Sequence, residues 1–367
     1  MNIYQVKGTT LVDQYHNIGA LFGESIRKTV KKIARRTASK SLVRKQVAEK
    51  VLASLRCREL ASEFLDCLDA WAKGAEISSE QAMWLMADNL TGCQTAIFKY
   101  KTGMAILHTE EDFDDMSLHM TGEKVVAFKE NGIVSNCLVY NDLMPGAGLY
   151  GWKKDLIIAV DTLFLKEGGI ELVERPMLAN VIAWMMWRMQ PAECDPEKVL
   201  ALLHKLGELV DGYAINVVRK VGTKVEGYKL TLARTESRTE YVGDAIGSYL
   251  RQVNIVDPGY PKMKYASPAR NIWRGGYKYF LARLKNIDDD VSKYGQIMTQ
   301  GLDDQLLLGA HTSIQRTIYT DLHDTYINEN VGAVCVGFVD TEGTSVSCKL
   351  NDGQPFKIIE YMDICEK

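Results

Sequence analysis

At Gly92 the chain changes character. Before it, apolar residues recur at helical spacing; after it, short strand-like runs follow one another between turn residues. That order, a helical prologue and then strands, helices and strands, constrains the fold to layered sheets flanked by helices. In the prologue, Tyr15 to Arg36 mixes apolar and basic positions, with Gly19 and Gly23 four apart. Its basic run, Arg27 to Arg36, reads as the solvated side of an apolar stripe made by Ile26, Val30, Ile33 and Ala34. Lys45 to Ala72 continues helically and stops near Gly74. Ser78 with Gln81 makes a capping box that opens a helix to about Asn89.

Strand-like segments follow at 93–100, 104–110, 123–129, 133–140, 148–152 and 155–163, and Asn131-Gly132 marks a hairpin turn. Residues 176–220 read as a return to helix, with Leu200, Leu203, Leu206 and Leu209 at near-helical spacing. Segments 227–234 and 239–243 look like strands, 266–320 like helix, and a hairpin over 332–350 closes the tail. Trp184, Met185, Met186, Trp187 and Met189 fit a helix packed on a sheet, with an acyl-chain pocket as the other use of such residues.

The 367 residues carry a net charge of −3, which gives no global reason to expect nucleic acid or an anionic membrane as partner. No apolar run approaches membrane-spanning length and the N-terminus lacks a secretory pattern, so a cytoplasmic protein is expected. The eight cysteines are scattered without a CxxC pair, and free thiols are the expectation.

The chemistry concentrates where the character changes. Gly92-Cys93 opens a strand, Lys101-Thr102-Gly103 turns the chain, and Met104 to Leu107 leads back to His108-Thr109-Glu110-Glu111-Asp112. On such a hairpin, Asp112 or its neighbours return beside Cys93. A cysteine is a strong nucleophile as thiolate and needs a base or a cationic neighbour. The six histidines show no recognisable Cys/His protease context. A cut before Cys93 would supply the base differently, because a free α-amine with a pKa of about 7.7–8.0 can accept the thiol proton. Gly92 permits the backbone geometry for attack on its own carbonyl. The acids from Glu110 to Asp115 lack calcium-loop spacing, and no metal site is expected.

These residues resemble the isopenicillin N acyltransferase-like branch (peptidase family C45) of the N-terminal nucleophile hydrolases. Further on, Tyr150 to Leu156 is similar in place to the family's Gly-x-Asn-x-x-Gly-Leu, and Gln252-Val253-Asn254 to its His-Thr-Asn-His. Ser267-Pro268-Ala269-Arg270 resembles its Ser-x-x-Arg, Ser313-Ile314-Gln315-Arg316 its Ser-Ile-Cys-Arg, and Gly353-Gln354-Pro355 its C-terminal Gly-x-Pro. The similarity runs from about Gly19 to the C-terminus.

The resemblance implies an α+β fold, a four-layer αββα sandwich of the N-terminal nucleophile hydrolase type. Residues 1–92 would be the helical N-terminal segment and 93–367 the catalytic domain, separated by self-cleavage at Gly92-Cys93. Acyl transfer would pass through a thioester on Cys93. Asp112 would orient the α-amine, Asn254 would help form the oxyanion hole, and Arg270 would stand near the nucleophile. Arg316, Glu110 and Asp161 are the expected substrate-binding positions. No cofactor is implied; by the same resemblance an acyl-CoA would serve as co-substrate. The partners implied are a small amide or acyl-thioester and the cleaved chains themselves, with homo-oligomers included.

The chain also departs from the family. Glu110 stands where the family has asparagine, and Trp152, Asp155 and Asp161 replace Asn, Gly and Asn. Gln252 and Ile255 replace the histidines that flank the family's asparagine. These departures keep open an uncleaved member of the fold that binds a ligand or partner; a histidine-assisted cysteine protease of another fold is a separate and less supported alternative.

Overall fold

The structure is a computed structural model. It describes residues 4–35, 39–87, 92–100, 103–113, 123–140, 142–148, 150–163, 173–255, 329–341 and 343–350, with helical positions 281, 283–285, 287 and 288. A few side chains at element ends within these ranges, Asp112 among them, lie outside that description.

A short strand β1 (Tyr4–Gln5) precedes five helices: α1 (Leu11–Leu21), α2 (Gly23–Arg35), α3 (Ser39–Arg56), α4 (Ser62–Gly74) and α5 (Ser79–Ala87). Thr10 and Asp13 cap α1 reciprocally, and Ser78 and Gln81 do the same before α5. Ile26, Val30 and Ile33 of α2 are buried, as their spacing predicts, whereas Ala34, expected in the same stripe, is exposed. Two further expectations need correction. The helical stretch from Tyr15 breaks at Phe22, where α1 ends, and the stretch from Lys45 breaks after Arg56. The second break folds the chain back, so that Val51, Leu52 and Leu55 of α3 share one core with Phe64, Leu68 and Trp71 of α4.

The strands are β2 (Gly92–Tyr100), β3 (Gly103–Phe113), β4 (Glu123–Glu130), β5 (Ile133–Tyr140), β6 (Tyr150–Lys153) and β7 (Leu156–Leu163). After β8 (Pro176–Met177) come α6 (Ala179–Arg188), α7 (Pro196–Leu206) and β9 (Glu208–Leu209). The chain continues through β10 (Gly212–Val221), β11 (Lys224–Ala233), β12 (Glu236–Tyr241), β13 (Tyr249–Val253), β14 (Glu329–Val339) and β15 (Thr344–Leu350). The reading of 176–220 as helix therefore holds only in part. Gly207 (φ +146°) ends α7, Leu209 lies in β9, and the β-branched run Ile215, Val217, Val218 is a strand.

An eight-stranded sheet has the order β1-β4-β5-β6-β7-β10-β11-β12, and a five-stranded sheet the order β13-β2-β3-β14-β15. Strand alternation divides the larger sheet between two cores. Leu156, Ile158 and Val160 of β7 join the helices, including Trp184 and Trp187 of α6. Ile157 and Ala159 face the smaller sheet with Ile97, Met104 and Ile106. Trp184 Nε1 donates to Tyr15 Oη at 2.7 Å and Trp187 Nε1 to the Asn136 carbonyl at 3.0 Å, so α6 serves packing. On the outer face of the smaller sheet, Arg283 donates to Gln94 Oε1, and the Arg251 guanidinium meets both the Leu284 carbonyl and Asp288. The architecture is α+β, two stacked sheets with helices on the larger one.

Candidate functional site

The β2–β3 hairpin pairs Tyr100 with Gly103, and that register sets Cys93 opposite Glu110 and Thr95 opposite His108. The inward-facing positions of both strands converge between the sheets. Cys93 Sγ donates to Glu110 Oε2 at 3.4 Å, and Tyr140 Oη of β5 donates to the same oxygen at 3.1 Å. His108 Nε2 and Glu110 Oε1 share a proton across 2.6 Å. On its other side His108 Nδ1 meets Thr95 Oγ1 at 2.8 Å. The Thr95 hydroxyl donates to Asp161 Oδ2 at 2.7 Å, and Asn216 Nδ2 of β10 donates to that oxygen at 2.7 Å.

Proton positions follow from this chain. Thr95 has one hydroxyl hydrogen and gives it to Asp161, so it accepts from His108 Nδ1–H. The imidazole ring stacks on Tyr150 with centroids 5.8 Å apart, which fixes its plane. Cys93, Thr95, His108, Glu110 and Asp161 are all buried. Burial pushes the Asp161 carboxyl up to about 6, against the lowering influence of His108 and of its hydrogen bonds with Thr95 and Asn216. Its second oxygen, Oδ1, is buried without a hydrogen-bond partner.

Asn254, just past β13, holds the nucleophile's backbone. Its Oδ1 accepts from Cys93 N–H at 3.1 Å, and its Nδ2 donates to the Thr162 carbonyl at 2.9 Å. The amide orientation is dictated by the N–H, which can only donate.

Four expected site residues are thus brought into one network: Cys93, Glu110, Asp161 and Asn254. In this register Glu110 faces Cys93, while the backbone of Asp112 pairs with Asn330. The side chain of Asp112, and all of Arg270 and Arg316, lie outside the described residues. Sequence reasoning passed over His108, Thr95, Tyr140 and Asn216. His108 and Thr95 had a usable signal, since counting pairs outward from the turn puts both beside Cys93 and Glu110. Tyr140 and Asn216 had none, because they arrive from another sheet. As a set, the thiol, imidazole and carboxylate can exchange protons or coordinate a cation; their donor atoms all lie within 4.8 Å of one another.

Among the described residues, no helix is long and apolar enough to cross a membrane. No protein-family model matches this chain, and no curated protein does either.

Proposed function

We propose that this chain is a cysteine N-terminal nucleophile enzyme, an amidohydrolase or N-acyltransferase acting on linear amides through an acyl thioester on Cys93. The observation that carries the reading is the grip on Cys93: Asn254 Oδ1 holds its backbone N–H while the thiol turns inward between two stacked sheets. The sandwich would be the four-layer αββα arrangement of the C45-like hydrolases, which the chain's motifs resemble.

In self-cleavage, the Cys93 sulfur adds to the Gly92 carbonyl carbon and the C–N bond breaks. The acyl group moves to sulfur and the Cys93 nitrogen leaves as an amine. Water then hydrolyses the thioester to the Gly92 carboxylate and the free thiol. Asn254 Oδ1, already 3.1 Å from that nitrogen, orients the new α-amine as the base for turnover. Turnover repeats the chemistry on a bound amide or thioester: sulfur takes the acyl group, the amine or thiol leaves with a proton, and water or a second amine takes the acyl group off. An acyl-CoA is a suitable donor, no other cofactor is required, and action in the cytosol belongs to the same proposal.

A second reading is favoured by Glu110. An ionised carboxylate beside the thiol disfavours thiolate unless the shared proton of His108 offsets it. A chain that stays uncut would then be a binding protein on the same scaffold.

Intact mass of freshly purified protein under denaturing conditions tests the two. Fragments 1–92 and 93–367 are expected, with a single species for Cys93→Ala. An uncut wild-type chain that turns over no amide or acyl thioester overturns the enzyme reading.

A further inference from the structure

We propose that Cys93 Sγ, His108 Nε2 and the Glu110 carboxylate form a binding site for a thiophilic divalent cation, Zn2+ by its chemistry. Three donor atoms of three kinds lie within 4.8 Å of one another, all on buried residues. They sit on a rigid hairpin: His108 and Glu110 alternate along one strand, and Cys93 is in register with Glu110. Ligands bound to tetrahedral zinc at about 2.0–2.3 Å lie roughly 3.3–3.7 Å apart. Cys93 Sγ and Glu110 Oε2 are already 3.4 Å apart, and the 2.6 Å His108–Glu110 contact opens when the ion replaces their proton.

The surroundings are those a metal-bound histidine needs. Its other nitrogen, Nδ1, is held through Thr95 to the Asp161 carboxylate, which fixes the ring with Nε2 turned to the site. Tyr140 Oη holds the Glu110 carboxylate in the same way. Charge also balances. Thiolate and carboxylate together neutralise a dication, so the three ligands and the ion carry no net charge. A thiolate and an imidazole select zinc-like ions over Mg2+ and Ca2+, which prefer oxygen.

Metal at this position ties up the Cys93 thiolate, so it would block the acyl chemistry. That consequence rests on the proposed enzyme reading; the metal site itself does not.

The test uses the full protein, as one chain or two, dialysed against Zn2+ or Co2+ and passed through a desalting column. One equivalent of retained metal is expected, and the Co2+ form should show a sulfur-to-cobalt charge-transfer band. Cys93→Ser should abolish the band, and His108→Gln and Glu110→Gln should each weaken binding about tenfold or more. Cys57→Ser, at an exposed cysteine, should change nothing. Failure of the wild-type protein to retain metal overturns the proposal, as does an unchanged band in a folded Cys93→Ser variant. Should that variant not fold, zinc X-ray absorption on wild-type protein decides: a shell of sulfur with imidazole supports the site, and a shell without sulfur or of sulfur alone overturns it. Amide turnover is scored separately on metal-free protein, so a failed acyl chemistry and a failed metal site are told apart.

Discussion

Cys93 and Glu110 stand directly opposite each other on adjacent strands, and the thiol of one donates to the carboxylate of the other across 3.4 Å. Glu110 also takes a hydrogen bond from Tyr140 and shares a proton with His108. It is the hub of the buried network between the sheets.

Removing that hub leaves an imidazole, a phenol and a thiol without their common partner. Glu110→Ala should cost roughly 3–5 kcal/mol of folding stability, because several buried groups lose a shared hydrogen-bond partner at about 1–3 kcal/mol each. Denaturant unfolding measures it. A double-mutant cycle with His108→Ala should show a coupling of at least about 1 kcal/mol, because the two residues share one proton.

Asn254→Ala removes the acceptor of the Cys93 N–H and the donor to the Thr162 carbonyl. Two buried groups lose a partner, each at about 1–3 kcal/mol. On the proposed mechanism the nucleophile also loses its alignment. The appearance of the 93–367 fragment, followed by mass over time after refolding, should slow by at least about tenfold.

Asp161 imposes a pH dependence of defined sign. Its folded pKa is raised to about 6 from 3.8, so between these values the folded state holds a proton that the unfolded chain has lost. Stability from this group is therefore full below pH 3.8 and falls as pH rises toward 6, by on the order of 3 kcal/mol in all. Asp161→Asn keeps an acceptor for Thr95 and Asn216 and should flatten that slope. Unfolding midpoints of the two proteins across pH 4–7 read the difference directly.

Helices α1 and α4 touch through two glycines. A β-carbon on Gly19 would sit 2.2 Å from the Trp71 carbonyl oxygen, and one on Gly74 would sit 1.9 Å from that of His16. Both obstacles are backbone atoms and cannot rotate away. Gly19→Ala and Gly74→Ala should each destabilise by about 1–3 kcal/mol, despite the better helix propensity of alanine. Thermal unfolding checks this, and any gain in stability contradicts the packing.

Native-state alkylation should separate the thiols. Cys57 is exposed, whereas burial pushes Cys67 and Cys194 up to about 12, where almost no thiolate exists at neutral pH. Peptide mapping after brief iodoacetamide treatment should find Cys57 modified and Cys67 and Cys194 intact.

What could be read from the chain by itself was local. The Ser78–Gln81 capping box, the strand from Gly92, the Asn131-Gly132 turn and the closing hairpin all depend on neighbours a few residues apart, and each forms as expected. The helical reading of 176–220 held for α6 and α7 and failed after Gly207, where near-helical leucine spacing runs on but the backbone leaves the helix. The site divides along the same line. The hairpin brings Cys93, Thr95, His108 and Glu110 together by pair counting alone. Tyr140 and Asp161 reach them from 30 and 66 residues away in sequence, and Asn216 reaches Asp161, through the stacking of one sheet on another, while Asn254 comes from 161 residues away at the end of β13, the strand paired beside β2. No sequence period encodes that stacking, because it depends on how the side chains of two sheets fill the space between them. Tertiary packing made a strand-opening cysteine into one end of a buried proton network.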